Sequence, residues 1–293
     1  MYRVGILGAE NSHASGFAQI FNGYRPEVAD EFNDIRVIGV GGRYPEANRA
    51  LLEKYGLELM VEKPEDLLGK VDAIMVPARE GRYHAEFARP FIEAGIPAFI
   101  DKPFTSNLEE AVELVRLAKA KNVPLVGGSS LKLCADTVKM ADAFKECGDK
   151  IRSGDVTAPV SMVNEYGNFW FYAAHLTEIC LRVFGSNPEW VWASEHKGGV
   201  CAVVHYPGFD ITNHFTDQAY HYSVTLHTTD GIVHQPLAID DFILLECRSF
   251  AKMLRHGTMD FTYEELVRPV SVLEAIVRSC RSGCKEAIAP VVL

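Results

Sequence analysis

The sequence predicts an α/β chain of two domains, a doubly wound parallel sheet over residues 1–128 and an α+β domain with a mainly antiparallel sheet over residues 129–293. Three observations carry that expectation. Short apolar runs alternate with amphipathic stretches up to Gly127-Gly128, and parallel strands need crossovers of this kind. Beyond that point the grammar changes, and four or five β-rich stretches follow one another between Trp190 and Leu237. A chain of 293 residues with 48% hydrophobic content is also long enough for two cores.

In order, Tyr2 to Leu7 reads as a strand, Ala14 to Phe21 as a helix, Ile35 to Val40 as a strand and Pro45 to Tyr55 as a helix opened by its proline. Leu57 to Val61 and Ala73 to Val76 read as strands, Arg82 to Ala94 as a helix and Pro97 to Ile100 as a strand. Leu108 to Lys121 is an amphipathic helix capped by Ser106/Asn107, followed by the short strand Pro124 to Val126. In the second domain Leu131 to Cys147 and Phe171 to Phe184 read as helices flanking a strand at Val156 to Glu165. Alternation through Tyr220 to Thr228 and the turn Thr229-Asp230-Gly231 mark an antiparallel sheet with one covered face. Helices over Phe242 to Arg255 and Tyr263 to Ser282 complete the domain.

A net charge of -10 argues against nucleic acid or an anionic membrane as partner, so a small molecule is expected instead. No run of about 18 apolar residues occurs, and the chain enters a strand within three residues, so neither a membrane span nor a signal peptide is expected. The seven cysteines are odd in number and form no C-x-x-C pair, which fits reduced thiols and a cytoplasmic protein. Cys280 and Cys284 share a helical face but are read as packing residues. Six histidines between His196 and His234 lack ligand spacing beside a carboxylate or cysteine, so they are read as lining an exposed sheet face or subunit interface, and no metal is expected.

The chemistry concentrates at strand ends, where ligands bind in an open parallel sheet. Asp101-Lys102-Pro103 closes an apolar run, and a lysine held there by a rigid proline can act on a hydroxyl or carbonyl. The first strand runs into Gly5-Ile6-Leu7-Gly8-Ala9-Glu10-Asn11-Ser12-His13, where a Rossmann-type domain turns around a pyrophosphate. Gly8 suits the tight turn, Glu10 stands where a second glycine is usual, and Asn11, Ser12 and His13 can cap the helix and donate to phosphate. The second strand ends in Val40-Gly41-Gly42-Arg43-Tyr44 with no acid for a ribose, and Arg43 beside two glycines suits a 2′-phosphate. NADP is therefore the expected cofactor, with NAD possible.

Taken together, these segments resemble the glucose-fructose oxidoreductase and inositol dehydrogenase family along nearly the whole chain. The resemblance rests on Val4 to Gly8, Tyr83-His84-Ala85-Glu86-Phe87-Ala88, Ala94-Gly95, Asp101-Lys102-Pro103, His175-Leu176-Thr177-Glu178 with Phe184-Gly185, and Ser271-Val272-Leu273-Glu274-Ala275-Ile276 with Ser279 and Gly283. It implies hydride exchange between a nicotinamide and a sugar or polyol carbon. Lys102 takes the place of the family lysine with Asp101 for the usual glutamate, Pro103 that of its often cis proline, and His175 that of the proton-relaying histidine with Glu178 on the next turn. Pro77 and Asp101 join the nucleotide contacts. Such proteins dimerise through their sheet faces, so a homodimer or higher homo-oligomer is expected.

Three departures stand out: Phe171 occupies the position of the family aspartate, the glycine loop carries Glu10 and Ser12, and Ala78-Arg79-Glu80-Gly81-Arg82 lengthens the approach to His84. Glu165 and Tyr172 flank the altered position and are candidate substrate contacts, while Arg79 and Arg82 could anchor a substrate carboxylate or phosphate. A degenerate metabolite-sensing protein, or a non-redox lyase or hydrolase on the same fold, remain alternatives to the oxidoreductase.

Overall fold

A computed structural model describes residues 1–293. In chain order the strands and helices are β1 (Tyr2–Leu7), α1 (Ser12–Phe21), β2 (Ile35–Gly41), α2 (Pro45–Tyr55), β3 (Leu59–Met60), β4 (Ala73–Val76), α3 (His84–Glu93), β5 (Ala98–Ile100), α4 (Leu108–Lys121) and β6 (Leu125–Gly127). They continue as α5 (Ala135–Cys147), β7 (Ile151–Val160), α6 (Phe169–Phe184), β8 (Trp190–His196), β9 (Gly199–Tyr206), β10 (Phe209–Asp217), β11 (Ser223–Thr228), β12 (Gly231–Pro236), α7 (Phe242–His256), α8 (Tyr263–Ser282) and β13 (Glu286–Ala287).

The chain divides into two compact units. In the first, six strands run parallel in the order β3-β2-β1-β4-β5-β6, the doubly wound sheet that the alternation predicts. Strand order reverses between β1 and β4, which opens a crevice at their carboxyl ends. Local signals set the helix ends: Pro45 starts α2 and Gly56 ends it in the left-handed conformation, while the Asn107 side chain accepts the Glu110 N–H to cap α4. Gly127 is required at the end of β6, because at its φ of 140° an added Cβ would lie 1.8 Å from the Ile100 carbonyl oxygen.

The expected single boundary at residue 128 is not how the units divide, since Ile243–Leu266 belongs to the first unit. The reason is apolar: Cys247, Phe250, Ala251 and Met253 of α7 are buried in one cluster with Phe17 and Phe21 of α1, Phe32, Val37 and Phe99. Phe21 meets Phe32 edge to face and Phe250 at a tilt. Truncating a fully buried phenylalanine such as Phe250 to alanine costs about 3–5 kcal/mol.

The second unit, Ser129–Phe242 with Val267–Val292, holds a seven-stranded sheet in the order β12-β11-β7-β10-β9-β8-β13. Every pairing is antiparallel except β7 with β10. Strand β7 lies five residues earlier than the expected Val156 to Glu165. It stops because Asn164 folds the next segment into a turn, its side chain donating to Ser161 and Asn168 carbonyls and accepting the Tyr166 and Asn168 N–H groups. The expected helix from Leu131 is likewise broken, with extended backbone at Cys134 between a 3₁₀ turn (Ser130–Leu133) and α5. No helix is long and apolar enough to cross a membrane.

Candidate functional site

In the first unit the crevice is lined by residues that follow β1, β2, β4 and β5. Gly8 has φ 115°, and a Cβ there would meet the Ala78 backbone at 2.5 Å, so the first turn lies flush against the segment after β4. Asn11 joins three parts of this wall. Its Oδ1 accepts the His13 N–H at the start of α1, and its Nδ2 donates to the Pro77 carbonyl at 2.7 Å and to Asp101 Oδ2 at 3.2 Å. Buried His84 bridges the same segments, with Nε2 2.7 Å from the Ala78 carbonyl and Nδ1 2.8 Å from that of Pro103. The Lys102-Pro103 peptide is cis.

Lys102 is 5% exposed and Asp101 fully buried. Asp101 Oδ1 accepts the Lys102 N–H at 2.7 Å, so Asp101 braces the turn that presents the lysine. Glu10 reaches across to the segment after β4, its Oε1 accepting the Arg79 N–H at 3.0 Å. Ser12 is exposed at the helix N-terminus, whereas His13 is buried. The expectation that His13 donates to phosphate meets a different geometry: its Nδ1 lies 3.3 Å from Asp101 Oδ2 and 3.2 Å from Glu246 Oε2 of α7. Burial opposes charge on this imidazole, but the two carboxylates outweigh it and raise its pKa above the ordinary histidine value.

Beyond the end of β2 a pocket of about 840 Å³ is lined by Gly42, Arg43, Asn48, Arg49, Lys63 and Glu86, among others. The Arg43 guanidinium lies 4.5 Å over the Tyr83 ring and 4.0 Å from Glu86. Arg79 is half-buried, and Arg82 is exposed and paired with Glu80 at 2.6 Å. The pocket, which carries Glu62, Glu65 and Glu86 beside Arg43, Arg49 and Lys63, and the exposed Ser12 at the start of α1 fit an adenine dinucleotide.

In the second unit His175 lies on α6, 8% exposed, with Nδ1 2.7 Å from Ser129 Oγ. That hydroxyl also accepts the Leu131 N–H at 3.2 Å. Glu178, one turn along α6, accepts the Ser129 N–H at 2.8 Å and the Lys132 ammonium at 2.6 Å. The histidine is therefore fixed by a buried chain of Ser129, Glu178 and Lys132, of which sequence reasoning found only Glu178. Tyr172 places its ring 5.6 Å from that of His175, while Phe171 packs between Tyr166 and Tyr172. Glu165 sits exposed on the turn before α6. On the sheet, His227 and His214 flank Asp155 at 2.7 and 3.6 Å and His205 pairs with Asp210 at 2.7 Å.

Residues 2–128 match the profile of the oxidoreductase family with an NAD-binding Rossmann fold. Those residues belong to the Gfo/Idh/MocA family. No curated protein matches the chain by sequence. Among solved structures, GenD2 from gentamicin A biosynthesis, in complex with NAD, is 16% identical with a TM-score of 0.82, over 98% of this chain and 96% of that one. The WlbA dehydrogenase from Bordetella pertussis, in complex with NADH and UDP-GlcNAcA, is 17% identical with a TM-score of 0.81, over 98% and 99%. A probable dehydrogenase from Thermotoga maritima gives 17% and 0.80, over 99% and 100%. At these identities the likeness is one of fold, and the Gfo/Idh/MocA profile is the sequence-level link.

Proposed function

We propose that the chain is an NAD(P)-dependent oxidoreductase acting on a CH–OH group of a sugar, polyol or related hydroxy compound. The observation that carries this reading is Lys102, buried at the end of β5 in a Gfo/Idh/MocA unit and braced by Asp101. Gly8, Asn11, Ser12, Pro77 and Arg43 would hold the dinucleotide, with Glu10 and His13 shaping the turn from behind. When bound, a nicotinamide dinucleotide supplies the hydride exchange. Lys102 donates to the substrate oxygen and stabilises negative charge on it. His175 takes the hydroxyl proton on oxidation and returns it on reduction, its ring oriented by the contact of Nδ1 with Ser129. Tyr172 supports substrate beside His175, and Arg79 offers an anchor for an acidic substrate group.

Family description favours NAD, whereas Arg43 beside Gly42 favours the 2′-phosphate of NADP, and we give NADP precedence on that arginine. Calorimetric titration with NADPH and NADH tests both readings: wild type binds NADPH more tightly, and Arg43→Ala removes the difference. A hydride-transfer screen of sugars and polyols with Lys102→Met as control then tests the chemistry. Loss of turnover with dinucleotide affinity retained is expected, and an unchanged rate would refute the role of Lys102. Seven free thiols favour the cytoplasm, and exposed Ile232 and Val233 on edge strand β12 favour a homo-oligomer, which light scattering checks.

A further inference from the structure

His13, Asp101 and Glu246 come from three distant parts of the sequence, and each serves a different element: the first turn of α1, the end of β5, and α7. All three are buried, with exposures of 7%, 0% and 1%. Their donor atoms lie within 4.8 Å of one another. His13 Nδ1 is 3.3 Å from Asp101 Oδ2 and 3.2 Å from Glu246 Oε2. One ring nitrogen carries at most one proton, so it can donate along only one of these two nearly equal lines. Both lines are also longer than the about 2.7–2.9 Å of a charge-assisted N–H···O bond. They match the spacing of atoms that share a cation instead: ligands at about 2.0–2.2 Å, arranged tetrahedrally or octahedrally, stand about 3.0–3.4 Å apart.

We propose that His13 Nδ1, Asp101 Oδ2 and Glu246 Oε2 form a binding site for a divalent first-row metal cation. The supporting shell is in place. Asn11 Nδ2 donates to the same Asp101 oxygen while anchored on the Pro77 carbonyl, and the other Asp101 oxygen is held by the Lys102 N–H. One imidazole with two carboxylates suits Mn²⁺, Fe²⁺ or Zn²⁺ better than the all-oxygen shells of Ca²⁺ and Mg²⁺. Three protein ligands leave positions for water or a substrate oxygen. A cation here would tie α7 to the end of β5 and the start of α1, independently of any hydride transfer.

The test uses full-length protein stripped with a chelator and then titrated with Mn²⁺, following the loss of the free-ion electron paramagnetic resonance signal, with Zn²⁺ as competitor. One Mn²⁺ per chain is expected, displaced by Zn²⁺, with affinity in Glu246→Gln weakened by at least the about 10–100-fold that loss of a residue supporting the ligands costs. His13→Gln serves as the second variant should Glu246→Gln fail to fold, and Asp155→Asn on the open sheet face is the control that leaves binding unchanged. Failure of the wild type to take up Mn²⁺ or Zn²⁺ at millimolar concentration, or equal affinity in wild type and both site variants, would overturn the proposal. Anomalous scattering from Mn²⁺-soaked crystals locates the ion: density against His13 Nδ1 supports the site, and density elsewhere refutes it. None of these readouts depends on turnover, so they stand apart from the oxidoreductase reading.

Discussion

Replacing Lys132 by methionine should destabilise the second unit far more than a lysine substitution usually does. Nζ sits 2.6 Å from Glu178 Oε2, and the two side chains are only 6% and 3% exposed. At an effective dielectric of about 20 the gross attraction is ~6 kcal/mol, most of which offsets the desolvation of the two ions. Methionine fills the same volume but leaves the Glu178 carboxylate buried opposite a thioether, and an uncompensated buried charge costs about 3–5 kcal/mol. The Ser129 N–H still bonds the other carboxylate oxygen, which points to the lower end of that range. For a unit of this size the shift is about 10 °C in melting temperature. Adding Glu178→Gln should recover about 2 kcal/mol, because the amide keeps the Ser129 N–H bond and carries no charge. Tryptophan fluorescence during urea unfolding is the suitable assay, since Trp170, Trp190 and Trp192 all lie in the second unit. A loss below about 1 kcal/mol for Lys132→Met, or a double variant as unstable as the sum of the singles, would show that the pair is not the buried ion pair described.

Three further outcomes follow from other parts of the structure. Gly8→Ala should lower the first unit's stability by more than the about 1–3 kcal/mol of an unfavourable φ alone, because the new Cβ meets Ala78 backbone at 2.5 Å; circular dichroism melts and dinucleotide titration both report it. Burial pushes the Cys180 thiol up to about 12, so alkylation at pH 8.5 with peptide mass spectrometry should label exposed Cys284 and spare Cys180 until the protein unfolds. The Arg255 hydrogen bond, at 2.9 Å, holds the Asp34 carboxyl below its usual range, so its stabilisation is present above the unfolded carboxyl pKa and fades as pH falls through the lower folded value. Arg255→Ala should therefore cost about 0.2–1 kcal/mol more near pH 7 than near pH 2, where only the Arg255 bond to the Glu31 carbonyl is left to lose, and an equal cost at both pH values would contradict the pairing.

What the sequence discloses here is what short-range chemistry controls. Strand and helix alternation, the proline that opens α2 and the Asn107 cap of α4 act over a few residues and are read directly. The position of β7 escapes because its end is set by the side chain of Asn164 and by pairing with β10, more than fifty residues away. The α7 helix reads correctly as a helix, but nothing in its periodicity says which core receives Phe250. Among site residues, Lys102 and His175 are visible because each carries a local motif. Ser129 and Lys132 fall in an unremarked segment after β6 and matter only once α6 brings Glu178 to them. Glu246 is one acidic residue of an amphipathic helix, and only the fold sets it against His13 and Asp101.

The return of Ile243–Leu266 to the first unit also has a consequence for the order of events at the ribosome. All six strands of the first sheet have been made by Gly127, but the helix that completes their core is finished roughly 130 residues later, a wait of ~6–26 s at ~5–20 residues per second. During that interval Phe17, Phe21 and Phe32 lack their covering from α7, so the nascent chain exposes a sticky apolar face while the entire second sheet is being translated. A fragment cut at residue 128 should be permanently in that condition and aggregate. Supplied with the 243–266 segment on a linker, the same fragment should become soluble.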